Sequence, residues 1–220
     1  MTVRLQSPIF PRGRVTGPIT GTSYSKDYQG FVDVDPADVH ALVGEGYSRS
    51  FSGFSVTGQG TVNTGATAVE QSDGIRHKTT LTVNTTLPAI AGGADLAVGK
   101  LLYTLPAGVI LVEAAYMSLA ITQTTAKITA DTPDGGLGTT IGSGVVNVLG
   151  GNAAFENILT GQTFNDCDGT AEVASSAPAL LIAAGGNKTV YFSVADGWAA
   201  DGDPAAILAG TVVLHWRRLD

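Results

Sequence analysis

A chain of 220 residues with 29 glycines, 14% charged residues and much Ser, Thr, Ala and Val has room for one sizeable β domain plus an extension, or for two small domains, and its mixture disfavours long helices. The net charge of −7 argues against a protein that lives by neutralising phosphates: residues 128–187 hold no Lys or Arg, while Asp131, Asp134, Glu156, Asp166, Asp168 and Glu172 all fall there. A single cysteine, Cys167, excludes an intrachain disulfide, so stability must come from core burial, metal or association.

Residues 1–22 carry Pro8, Pro11 and Pro18 among Gly13, Gly17 and Gly21, a density that leaves no room for a long regular element and reads as an extended arm. Its charges are Arg4, Arg12 and Arg14, opposite in sign to the chain as a whole. No apolar h-region follows Met1, and the most apolar run, 105–121, is broken by Pro106, Gly108 and Glu113; neither a secretion signal nor a membrane span is expected.

Residues 23–47 form a small strand-helix module. Gly30-Phe31-Val32-Asp33-Val34 reads as a strand, Asp35 as a helix N-cap, Pro36 as the first helical residue, and Asp38 as a complement to the dipole. Val39, Leu42 and Val43 share a face, and Gly44 or Gly46 ends the helix. A helix this short is unstable alone and must dock on something.

Residues 48–75, rich in Ser, Gly, Thr and Gln with scattered Phe51, Phe54, Val56, Val62 and Val69, read as a linker or a second extended arm. From residue 76 to 220 the period becomes two. Thr79, Leu81, Val83, Thr85 and Leu87 fall on one strand face, and further strands are expected at 100–105, 109–122, 126–130, 144–149, 153–159, 179–184, 189–194 and 207–219. Turn signals separate them, among them Asp134-Gly135-Gly136, Asp168-Gly169 and Gly185-Gly186-Asn187. Many short strands without crossover helices give an all-β, antiparallel β-sandwich, jelly-roll-like first and immunoglobulin-like second. In the last strand both alternating sets, Leu208 to Trp216 and Ala209 to Arg217, are fairly apolar, which predicts an interior strand whose outer face is covered by another element or another subunit.

Tests for chemistry return little. His40, His77 and His215 sit in no nucleophile-base setting, Gly142-Ser143-Gly144 is not a nucleophile elbow, and Gly135-Gly136-Leu137-Gly138 lacks the lysine and helix of a phosphate loop, so no catalytic or cofactor-binding residue is assigned. Asp166 and Asp168 are the calcium candidates, although the run lacks the spacing of a calcium loop and reads more simply as a turn. Trp198, Trp216, Tyr103, Tyr116 and Tyr191 are candidates for a sugar platform, with Trp198 expected exposed and Trp216 in the core.

The segment from Gly21-Thr22-Ser23-Tyr24 through Val32-Asp33-Val34 to Asp38-Val39, Leu42 and Gly46-Tyr47 resembles a small module of tailed-bacteriophage virion proteins. Tyr103-Thr104-Leu105-Pro106-Ala107-Gly108, Gly136-Leu137-Gly138-Thr139, Gly144-Val145-Val146, the run from Ala154 to Gln162, and the closing Gly210-Thr211-Val212-Val213-Leu214-His215-Trp216 resemble β-sandwich decoration proteins of phage heads. The resemblance implies a cement or decoration protein on the outer capsid surface of the virion, commonly a homotrimer, with the major capsid protein as partner and with no catalytic residue, nucleic acid or membrane involved. On it, Arg4, Arg12 and Arg14 are the expected capsid contacts. A receptor-binding fibre or baseplate module recognising a host-surface glycan is the alternative.

Overall fold

The computed structural model describes residues 3–6, 14–26, 31–44, 48–49, 60–72, 76–90, 96–123, 133–146, 148–150, 154–165, 167–195 and 205–220. In chain order the elements are β1 (Val3–Gln6), β2 (Arg14–Thr16), β3 (Ser23–Ser25), β4 (Phe31–Val34), α1 (Pro36–Gly44), β5 (Ser48–Arg49), β6 (Thr61–Val62), β7 (Ala66–Ser72) and β8 (Arg76–Leu87). There follow β9 (Ala97–Thr104), β10 (Ile110–Thr122), β11 (Asp134–Gly138), β12 (Leu159–Thr163), β13 (Asp168–Ser176), β14 (Leu180–Ile182), β15 (Thr189–Ala195) and β16 (Ala206–Arg218). The chain divides into two compact units, residues 1–56 with 71–77, and residues 57–70 with 78–220.

In the first unit β1 lies between β4 and β5, and β2 pairs with β3. The arm expected over residues 1–22 therefore holds more order than its prolines suggested, because Val3–Gln6 finds partners on both sides. Leu5, Val32, Val34, Val39 and Leu42 form a small core, so α1 docks as its shortness required. Val43, expected on the same face, is instead exposed. Asp35 caps the helix as predicted: its Oδ1 accepts the Ala37 amide at 2.9 Å.

Asp38 does more than complement the dipole. It is fully buried, and its carboxylate accepts the Ile19 amide (2.7 Å), the Thr20 amide (3.0 Å), the Thr20 hydroxyl (2.5 Å) and the Tyr24 hydroxyl (2.7 Å). Gly17 passes so close that a Cβ there would overlap the carboxylate. Burial by itself would raise the Asp38 carboxyl, but the bonds from Thr20, Tyr24 and Ile19 outweigh it and hold it at about 2. A carboxyl lowered from the unfolded value of about 4 stabilises the folded form above pH 4 and loses that contribution as pH falls through about 2. Amide protection at Ile19 and Thr20 is therefore expected to fail between about pH 4 and pH 2, ahead of protection in β10 and β16, as read by hydrogen exchange. Asp38→Asn should show the same loss at neutral pH.

The second unit is a sandwich of two antiparallel sheets. One has the order β13-β10-β16-β8-β7, with β14 also paired to β10, and the other runs β12-β11-β15-β9-β6. Successive strands from β8 to β13 pass between the sheets, β11 and β12 excepted, and β15 and β16 return to the middle, one in each sheet. This is the double Greek key of a jelly roll. Alternation explains the core: Leu81 and Val83 of β8, Met117 and Leu119 of β10, Leu208, Val212 and Leu214 of β16, and Val190, Phe192 and Val194 of β15 all point between the sheets. Phe164 meets Phe192 edge to face with centroids 5.8 Å apart.

Several elements differ from the sequence reading. Residues 60–72, expected within a linker, supply β6 and β7 to the two sheets. Asp134-Gly135-Gly136, expected as a turn, opens β11, where a Cβ on Gly135 would meet Phe164 and Phe192 and one on Gly138 would meet the Phe155 backbone. Of the strand expected at 144–149 the described residues, 144–146 and 148–149, are irregular, and of that expected at 153–159 the described residues, 154–159, enter a strand only at Leu159. The expected strand at 126–130 lies outside the described residues.

Candidate assembly face

The two outer faces of the sandwich are treated differently. Residues from Thr139 onward lie across the five-stranded sheet. The Gly142 amide donates to Ser193 Oγ at 2.8 Å, the Leu96 amide donates to the Gly144 carbonyl at 2.8 Å, and Leu149 packs on Ala97 and Ala195. Gly99 and Ser193 are small because the Ile141 side chain and Gly142 sit directly on them. Carboxylates pin the connection: Asp134 Oδ2 accepts the Leu149 amide at 2.8 Å, and Glu156 Oε2 accepts the Gly161 amide at 2.5 Å. Asn157 closes it by a pair of 2.9 Å bonds with Thr139.

Within the second unit no described element lies over the six-stranded sheet, and over β13, β10 and β16 the middle of its outer face is built of Tyr, Val, Ala, Ser and Thr without a charge. The register of β10 with its neighbours sets the rows: Tyr116 between Ser175 and Val213, Ser118 between Val173 and Thr211, and Ala120 between Ala171 and Ala209. Leu181 and Ile207 extend the face at opposite ends of β10, opposite Leu111 and Thr122. Tyr116 is 39% exposed, Val173 60%, Leu181 61% and Ile207 41%. Charge enters towards both ends: Arg217, in the same row as Leu111 and Leu181, pairs through Nε with Glu113 Oε1 at 3.1 Å, and Asp168 lies opposite Thr122. A sheet face meeting water ordinarily alternates to polar residues, so this one reads as a surface awaiting cover.

The expected contact residues fall elsewhere. Arg4 belongs to β1, opposite Asp33; Arg14 is exposed on β2; and Arg12 lies outside the described residues. The turn held by Asp38 projects Ile19, 68% exposed, an apolar point that the sequence reading did not single out. Of the calcium candidates, Asp166 lies outside the described residues, and Asp168 is exposed with Oδ1 accepting the Thr170 amide at 2.8 Å. The Thr170 hydroxyl, and after it that amide bond, lower the Asp168 carboxyl, which is the chemistry of a turn. No group of three or more metal-ligating side chains occurs among the described residues.

The aromatic candidates do not converge. Tyr103 and Trp216 are buried, Tyr191 is half-buried, Tyr116 is exposed, and Trp198 lies outside the described residues. Trp216 joins a buried polar thread instead: its Nε1 donates to Thr79 Oγ1 at 2.9 Å, and the Thr79 hydroxyl donates to Glu70 Oε1 at 3.3 Å. Burial and the neighbouring Glu70 carboxylate push the Tyr103 phenol upward. His40 and His215 are exposed, whereas His77 is buried with Nε2 3.4 Å from Ser72 Oγ, at the outer limit of a hydrogen bond. Both groups are nine-tenths or more buried, so the pair reads as core polarity rather than as a nucleophile offered to a substrate. No helix among the described residues is long and apolar enough to cross a membrane.

Comparison with known proteins adds little. No family model matches the sequence. No curated protein matches it. Among solved structures, an arabinose-bound α-L-arabinofuranosidase superposes at a TM-score of 0.31 with 13% identity, covering 71% of this chain and 23% of that one. The chain thus spans under a quarter of that enzyme's length, and a likeness at this score carries no argument about fold or activity.

Proposed function

We propose that the chain is a non-catalytic structural protein of a tailed-phage virion, a decoration or cement protein that binds the outer capsid surface and stabilises the head. The observation that carries the reading as an assembly protein is the exposed, uncharged patch around Tyr116, Val173 and Ile207 in a chain of net charge −7. Such a face costs solubility unless a protein surface covers it. The jelly roll is compatible, since viral capsid proteins use it, although lectins and cupins share it and fold alone does not choose among them. The resemblance supplies the choice and the major capsid protein as partner, and it implies association of the chain with its own copies, commonly as a homotrimer.

The division of labour in this reading gives the shell contact to the amino-terminal unit, through Arg14 and the rigidly held Ile19. Full-length protein is expected to co-sediment saturably with capsids that lack it and to raise their melting temperature. Arg14→Glu should weaken that binding at least about threefold at low salt and less at high salt, because the contact is a surface charge pair. Absence of co-sedimentation with any capsid of its own phage would sink the reading.

A further inference from the structure

Proteins of strongly negative charge repel their own copies, and contacts between copies form where that charge is missing. The centre of the six-stranded sheet's outer face is such a place. From Tyr116 to Thr122 neither β10 nor its register partners on β16 carry a charged side chain. The face also has relief. Tyr116 stands up in one row, while four residues along β10 the row Ala171, Ala120 and Ala209 is nearly flat.

Packed sheets lie about 10 Å apart, and that gap is filled when a large residue of one sheet faces small ones of the other. A tyrosine opposite a flat alanine row meets this condition, and one opposite another tyrosine does not. Turning a second copy about an axis across β10 at Ser118, midway between the two rows, sets each Tyr116 on the other copy's alanine row. Both contacts form at once, as an isologous interface demands. Three strands about 4.8 Å apart and the seven residues of this stretch at about 3.4 Å each give a patch of about 350 Å2, or about 700 Å2 over two copies. That is the small end of interface sizes and suits a weak, reversible dimer that forms only at high concentration.

We infer that the outer face of the six-stranded sheet pairs with the same face of a second copy of this chain, each Tyr116 seated on the row Ala171, Ala120 and Ala209 of the other. The inference rests on the reading of the chain as an assembly protein, and it names the occupant of the face as the chain itself rather than the shell. It also specifies pairs where the resemblance implies trimers.

The test uses the full chain in sedimentation velocity over a range of concentration. The native protein is expected to form a reversible dimer, or an even-numbered assembly built from dimers. Ala120→Glu buries two like charges and should weaken the dimer at least about a hundredfold, while Thr82→Glu, on the outward side of β8, should leave it intact. Should Ala120→Glu fail to fold, Ser118→Cys decides: next to the axis, it should give a covalent dimer with a short bis-maleimide, whereas Thr82→Cys should not. The buried Cys167 leaves the introduced thiol as the reactive one. A trimer, or an assembly indifferent to Ala120→Glu, overturns the pairing and leaves the decoration reading standing. A monomer whose capsid binding is lost with Ala120→Glu gives the face to the shell and likewise overturns it. Dimers without any capsid binding uphold the pairing and remove the decoration reading.

Discussion

Trp216→Ala is expected to destabilise the sandwich by about 3–5 kcal/mol, the range for removing a large aromatic side chain from a packed core. Trp216 is fully buried on β16, opposite Val112 of β10, and its indole belongs to the polar thread as well as to the packing. Removing it opens a cavity and also takes the donor from Thr79, which bonds onward to the buried Glu70. At about 2–4 °C per kcal/mol for a chain of this size, the melting temperature should fall by about 6–20 °C. Trp216→Phe separates the two effects: it restores most of the volume but no donor, and should cost about 1–3 kcal/mol. Near-ultraviolet circular dichroism during thermal unfolding reads both variants. A loss under about 1 kcal/mol for Trp216→Ala would mean that water fills the space and satisfies Thr79, and that the thread contributes little.

The architecture was legible where apolar residues alternate and illegible where they do not. β8 and β16 announced themselves because Leu81 and Val83, and Leu208, Val212, Leu214 and Trp216, recur every second residue around a buried face. β7 was hidden because its alternation is inverted: Glu70 and Ser72 are the buried residues, and Val69 is the exposed one. β13 was hidden for a different reason. It is an edge strand with no fully buried side chain, and Ala171, Val173 and Ser175 belong to the outer face. Glycines misled at β11, where they signal not a turn but a close approach by residues 154–161.

The candidate face was half legible. The apolar outer side of β16 predicted that something covers it, but its extent depends on register, and register with β10 and β13 cannot be read from one strand. Val173 and Leu181 lie 55 and 70 residues along the chain from Ser118 and Leu111, so only pairing brings them together. Asp38 looked like an ordinary dipole complement because its partners at Ile19, Thr20 and Tyr24 lie across a turn. The Gly17-to-Tyr24 spacing was visible, but nothing in it says that a carboxylate fills the turn.

Gly210→Ala is the second large effect expected, and its cause is backbone rather than packing. Gly210 lies within β16 opposite Leu119, with φ of 136°, a conformation closed to residues with a Cβ. The added methyl would also run into the Ser118 carbonyl oxygen of β10, which is backbone and cannot turn aside. Conformational strain of about 1–3 kcal/mol therefore adds to a steric cost that only separation of the two central strands can relieve, for a total of at least about 3 kcal/mol. Gly144→Ala is the control: φ there is 76°, but nothing lies within 4 Å of the new methyl, so only strain of about 1 kcal/mol remains. The two variants, compared by denaturant unfolding, separate conformation from clash. Because Gly210 lies between the outward Ala209 and Thr211, a folded remnant of Gly210→Ala should also lose the flat row on which dimerisation depends, whereas Gly144→Ala should dimerise as the native chain does. Equal effects from the two substitutions would show that the central strands yield easily at this point, and that the flatness of the face does not depend on a glycine there.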